Sequence, residues 1–398
     1  MSIENPSNAS TNSARWMSVG RTEATDSRQG GAEATRSALT GPDPKLLLVF
    51  VGVSHDLAQV LAGINEVSGG VPLVGCTTHG EISAAGPRDD SIVVTALGGV
   101  GFSVATAAAT EASGRQREAG AEVAATATAV EDLPHKALVI LTDGLLRDQE
   151  DILRGAYGVV GASLPLFGGA AGDSWRMQRT YQFHGDQVLS DAVVGVTIAS
   201  DAPIAVSMRH GWHKLGEPMV VTGCAGGRVF TLDDEPAMDV YLRRLGAPEE
   251  TFHDAAAFSQ FALSRPVGVA RRSHDEVRNL STEVDIKGRS LGGGGNIPLG
   301  GLIWLMEGDE ESILDSTTAA CAEAIEGLAG QAALGLLTFS CAALRAVLGD
   351  DGIVREGERL TKMAAGAPFA GFYTYGEIAR TRGIDGFHNQ TLVVLALA

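Results

Sequence analysis

One frame occurs three times in this chain, and it constrains the fold more than any other feature. It reads Pro, two apolar residues, Gly, a short variable insert, Gly, then a carboxylate. The copies run from Pro72 to Ile82 (PLVGCTTHGEI), from Pro165 to Asp173 (PLFGGAAGD, one residue shorter) and from Pro368 to Ile378 (PFAGFYTYGEI). A strand and a helical segment precede each copy: the strands are Lys45 to Val53, Lys136 to Thr142 and Ala333 to Cys341. A polar stretch and an apolar strand follow each, at Ser91 to Leu97, Asp191 to Ile198 and Thr391 to Leu397. The period is too long for a solenoid, so the chain reads as duplicated structural units. The glycines recur because backbone geometry demands them, through positive φ or close approach. The insert between them varies, and loops on a rigid scaffold are where sites are built.

Each unit reads β-α-β-α-β-β. The expected fold class is therefore α/β, a mixed α+β fold with mixed sheets in a two-domain arrangement. The expected boundaries are a disordered tail at 1–14, an N-terminal domain at 15–202 holding two units, and a C-terminal domain at 203–398. The second of these domains holds an insert, from about Pro203 to Pro298, and then the third unit, starting at the strand Leu302 to Met306. The tetraglycine Gly292 to Gly295 has no Lys-Ser/Thr after it, so it is a turn and not a P-loop. Gly30-Gly31 weakens the helix expected over Asp26 to Leu39.

The 398 residues carry a net charge of −18, which argues against nucleic acid and anionic membranes as partners. Four cysteines, Cys76, Cys224, Cys321 and Cys341, form no C-x-x-C pair, and the histidines show no metal spacing. No cofactor or metal is expected. The N-terminus lacks an apolar signal region and no uncharged run reaches membrane-spanning length. A cytoplasmic protein without membrane insertion is the expectation.

The chain resembles the FIST family, with both its N and C regions. The residues that carry the resemblance are Val74 to Glu81, then Gly211-Trp212, Val220 to Thr222 and Leu232 to Tyr241, then Gly371 to Ile378 with His388 to Leu392. The resemblance implies a sensory module that binds a small ligand such as an amino acid and works with a separate signalling protein. It supplies no catalytic residue.

Candidate ligand contacts are Thr78, His79 and Glu81 in the first copy, and Tyr373, Tyr375, Glu377 and Asn389 in the third. Glu81 and Glu377 either flank a cationic group, if their loops converge, or accept hydrogen bonds from their own loops. In α/β sheets ligands sit beyond strand carboxyl ends, which adds Ser340, Cys341, His55 and Asp143 by position. Arg345 or Arg271 could grip a ligand carboxylate. Two other readings stay open: a hydrolase or transferase using Cys341, and a scaffold with no ligand.

Overall fold

A computed structural model describes residues 14–271, 275–280, 283–293, 295, 297–380 and 386–398. The expected disordered tail up to residue 13, Arg272 and Gly294 lie outside the described residues.

The three copies stand in the same strand-pairing setting. Gly75 pairs in register with Val49, Gly168 with Ile140 and Gly371 with Thr338, each across a parallel strand pair. A Cβ on any of the three would overlap the carbonyl oxygen of that partner. Close approach explains the recurrence. Positive φ does not, since only Gly168 has it, at 141°.

Unit one comprises strand Trp16–Thr22, helix Ser27–Ala38, strand Pro44–Val51, helix Leu57–Ser68 and strands Leu73–Thr77, Glu81–Ser83 and Ile92–Gly98. Asp26 and Asp56 cap the helices by accepting from the Gln29 and Gln59 amides at 2.8 and 3.2 Å. The Gly30-Gly31 pair does not break the first helix. Gly31 and Gly63 let the two helices cross with each glycine against the other helix's backbone, and Gly120 and Gly155 do the same in unit two. Close packing there offsets the low helix propensity of glycine.

Unit two runs from Phe102–Thr110 to Ala192–Ser200. Unit three starts earlier than the sequence suggests. Its first strand is Ile204–Arg209, which pairs with the last strand Leu392–Leu397 as Trp16–Thr22 pairs with Ile92–Gly98. The strand at Leu302–Glu307 instead pairs with His213–Ala225 in a separate sheet. The insert therefore sits inside unit three, between its first strand and its first helix, Glu310–Glu326. Both strands are short and apolar, so their patterns could not show which one returns to the repeat. The insert builds its own core around Met219, Val229, Tyr241, Phe258 and Ile303.

The units exchange strands in a cycle. Glu81–Ser83 of unit one pairs with Phe369–Thr374 of unit three. Glu377–Arg380 of unit three pairs with Leu166–Ala170 of unit two. Gln182–His184 of unit two pairs with Leu73–Thr77 of unit one. In this register Gln182 stands opposite Cys76, as Glu81 stands opposite Phe372 and Glu377 opposite Gly169. The second copy's counterpart of the two glutamates is thus Gln182. Asp173 opens a longer loop, residues 171–181.

Alternate residues of the central strands face two different cores, which is why these strands read as unbroken apolar runs. Leu46, Leu48 and Phe50 enter the core shared by all three units, where Phe50, Phe167, Phe339 and Phe372 meet with ring centroids 4.8 to 6.2 Å apart. Leu47, Val49 and Val51 face the helices of unit one.

Candidate functional site

The exchange brings the three variable loops together beyond the carboxyl ends of the parallel strands. The His79 amide donates to the Tyr373 carbonyl at 3.0 Å, Tyr375 to Ala170 at 3.1 Å, and Gly172 to Thr77 at 3.0 Å. One aromatic group from each unit reaches the same point. The Trp175 and Tyr375 rings stack at 5.2 Å and 20°, and the His79 ring lies 4.8 Å from Trp175 and 6.1 Å from Tyr375. Trp175 is 41% exposed. Burial, followed by the Arg345 charge, lowers the His79 pKa to about 4, so the ring is neutral at pH 7. Its Nδ1 is buried with no hydrogen-bond partner.

Loop 171–181 is held in a costly backbone shape. Ser174, Trp175 and Met177 have φ of 56°, 60° and 50°, a region that non-glycine residues seldom adopt. The Asp173 carboxylate holds it by accepting from the amides of Met177, Gln178 and Arg179 at 3.0, 2.7 and 3.1 Å. The Tyr375 hydroxyl donates to Asp173 at 2.7 Å and accepts from the Trp175 amide at 2.6 Å. Burial raises the Asp173 pKa, but these hydrogen bonds outweigh it and the net shift is downward. Unit three thus fixes the loop of unit two. Backbone strain of this kind concentrates at functional sites.

Arg345 lies beside this rim. It donates to the His79 carbonyl at 2.6 Å and makes a two-pronged pair with Asp89, whose carboxylate is 63% exposed. Its guanidinium also sits 5.1 Å from the Tyr373 ring centroid.

The other candidates lie below the rim. Glu81 is buried and accepts from Thr78 and from the amide and hydroxyl of Ser91 at 2.8 and 2.7 Å. Glu377 accepts from the amide and hydroxyl of Thr391 at 3.1 and 2.9 Å. Each carboxyl group is thus bound to its own unit. Tyr373 donates to a third buried carboxyl, Glu356, at 2.8 Å, and Ser340 donates to it at 3.1 Å. Asn389 is buried with an unpartnered Oδ1, and His388 bonds the Ala379 carbonyl at 2.9 Å. His55 bonds the Asp90 carbonyl at 2.9 Å, and Asp143 accepts from Thr180 and from the amides of Leu145 and Asp191. Arg271 pairs with Glu276 at 2.6 Å, within the insert.

Sequence reasoning missed Trp175, Asp173 as a loop anchor, and Glu356. Glu356 had a signal: it sits on the apolar stripe of its helix between Ile353 and Leu360. Among the described residues no group of three or more His, Cys, Asp or Glu is placed to hold a metal ion.

Burial raises the carboxyl of Glu81 to about 7 and that of Glu377 to about 8, against an ordinary 4.5. Both hold a proton in the folded state that the unfolded chain loses earlier. Their contribution to stability is fully present below pH 4.5 and is lost as pH rises through 7 and 8. His79 acts oppositely, but its contribution is complete above pH 6.5. The melting temperature is therefore expected to fall from pH 6.5 to about 8 and then level off, and the double variant Glu81→Gln/Glu377→Gln to flatten that fall. Differential scanning calorimetry across the range checks this, and a wild type that gains stability there contradicts it.

Cys341 precedes the first turn of helix Ala342–Ala364, a place that favours a thiolate. Burial and the neighbouring Glu377 nevertheless push its pKa well up. Cys76 and Cys321 are buried as well, and Cys224 is half-buried. An aromatic disulfide reagent should titrate Cys224 first in native protein, and all four thiols only after denaturation. Rapid labelling of Cys341 would count against its burial as an inert thiol.

The geometry defines a mixed α/β protein whose duplicated units present one shared loop junction. The chain matches the FIST N domain over residues 45–235 and the FIST C domain over 237–380, and it belongs to the FIST family, which is associated with signal transduction. No curated protein matches it closely enough to count as a relative. No helix among the described residues is long and apolar enough to cross a membrane.

Proposed function

We propose that this protein is a cytoplasmic sensor of a small ligand, an amino acid or a similar metabolite, held at the three-loop junction. One observation carries the reading: His79, Trp175 and Tyr375, each from a different unit, converge on an exposed point beside an unpartnered buried nitrogen. The ligand's apolar part lies on the indole face of Trp175 and a donor group meets His79 Nδ1. Its carboxylate takes over the Arg345 fork from the exposed Asp89. Such a ligand touches all three units at once, so it favours one mutual arrangement of them, and a separate signalling protein reads the shift. Burial of Cys341 and its raised pKa speak against the hydrolase or transferase reading, because a nucleophile needs the thiolate.

The test is a thermal-shift screen of amino acids and metabolites on the full chain. A ligand at a hundred times its Kd stabilises by about 2.7 kcal/mol. Trp175→Ala and Arg345→Met are expected to abolish the shift, and Cys341→Ala to keep it. A panel that shifts nothing, or a shift that survives Trp175→Ala, contradicts the proposal.

A further inference from the structure

The seams between the units differ in one respect that identifies a second site. In the seam where Glu377–Arg380 lies against Leu166–Ala170, Arg380 is 2% exposed. Its Nη2 donates to the carbonyls of Gly161 and Leu164 at 2.9 and 3.0 Å, and its guanidinium sits 4.8 Å from the Tyr157 ring centroid. Gly161 caps the C-terminus of helix Gln149–Val160, the negative end of the helix dipole. No carboxylate pairs with Arg380 among the described residues. Backbone carbonyls and one aromatic face meet this cation, while its Nε and Nη1 are buried without a partner among the described residues.

The seam where Gln182–His184 lies against Leu73–Thr77 has the same frame. Gly69 caps helix Leu57–Ser68 in the place of Gly161, but with ψ of 27° against −166°, and the loop from it to the proline is one residue shorter. Val71 precedes Pro72 as Leu164 precedes Pro165, and Asn65 takes the place of Tyr157. Leu166 stands opposite Arg380, and Leu73 opposite Gly185, whose amide donates to the Leu73 carbonyl at 2.9 Å. A glycine thus replaces the arginine. Here a cavity of about 450 Å³ opens, lined by Asn65, Gly70, Val71, Thr106, His184 and Asp186 among others. Its volume falls in the range of small-molecule sites, and the cleft is open to solvent on one side.

We infer that this cavity binds a small organic cation, an alkylguanidinium or alkylammonium, whose head group stands where the sister seam places the Arg380 guanidinium. The Val71 carbonyl accepts no hydrogen bond from the described residues, and it is the counterpart of the Leu164 carbonyl that Arg380 uses. Asp186 supplies a carboxylate at the wall. His184 bonds Thr106 Oγ1 at 3.1 Å, and burial lowers its pKa, so it does not oppose a cation at neutral pH. The cavity adjoins the start of strand Leu73–Thr77, whereas the rim lies beyond that strand's other end. The two sites are independent, and either can fail without the other.

The experiment is isothermal titration calorimetry of the full chain at neutral pH with n-butylguanidinium, and with neutral n-butylurea as its control. Saturable binding is expected for the cation, at least tenfold weaker binding for the urea, and a loss of at least tenfold with Asn65→Trp, which fills the cavity. Asp186→Asn, an exposed change that leaves the fold alone, should weaken binding by about threefold to tenfold, of the order of one lost charge contact. Trp175→Ala should leave it unchanged. Arg380→Ala should open the sister cavity and give a protein whose melting temperature n-butylguanidinium raises more than it raises that of the wild type. No saturable heat, equal binding of the urea, or no effect of either cavity variant overturns the inference.

Discussion

Gly371→Ala is expected to cost about 4 kcal/mol or more, at the upper end of what single substitutions do. The added Cβ would overlap the Thr338 carbonyl oxygen of the paired strand, and backbone cannot yield as a flexible side chain can. Gly75→Ala and Gly168→Ala meet the same obstacle at Val49 and Ile140, so all three should be severe and similar. Gly158→Ala is the control. That glycine lies in helix Gln149–Val160 with no atom near the Cβ position, so the change should stabilise by up to about 1 kcal/mol. Urea denaturation of the four variants checks this. Mild, unequal losses at the three frame glycines would mean that the units are not built alike.

Arg278→Met is expected to cost about 3–5 kcal/mol, because it takes from a buried carboxylate the one cation that is itself fully buried. Arg278 and Glu276 side chains are both 0% exposed and 3.0 Å apart on the insert strand Asp275–Arg278. Arg278 also reaches Glu150 of unit two at 3.3 Å and the Phe387 carbonyl of unit three at 2.8 Å. It therefore ties the insert to two units of the ring. Arg271 still bonds Glu276 at 2.6 Å, so the loss is partial. The double variant Arg278→Met/Glu276→Gln should recover much of the cost, giving a coupling energy above 1 kcal/mol, in the range found for contacting pairs. Additive single losses would show that the pair does not act as a unit.

Much of the architecture was legible because it is local. The Pro-x-x-Gly frame, the aspartates that cap helices Ser27–Ala38, Leu57–Ser68 and Glu310–Glu326, and the unbroken apolar runs each report a constraint within a few residues. The strand exchange was not legible, because a three-residue strand such as Glu81–Ser83 carries no mark of which unit it pairs with. The same limit misplaced the start of unit three: Ile204–Arg209 and Leu302–Glu307 are both short apolar strands, and only their pairing separates them. Asp173 looked like the counterpart of Glu81 because a deletion and a longer loop shifted the second copy. The pairing of Gln182 with Cys76 restores the correspondence. His79 and Tyr375 were readable as variable residues on a fixed frame. Trp175 was not, since it lies within the extra length of that second loop.

The central claim is that one ligand meets all three units at the rim. Four tryptophans, Trp16, Trp175, Trp212 and Trp304, allow a direct measurement. With Trp16, Trp212 and Trp304 replaced by phenylalanine, Trp175 alone reports. Titration with any amino acid or metabolite that raises the melting temperature should shift its emission saturably, with a midpoint equal to the Kd from calorimetry. A ligand that binds and stabilises the protein while Trp175 emission stays unchanged would place the site elsewhere and contradict the claim.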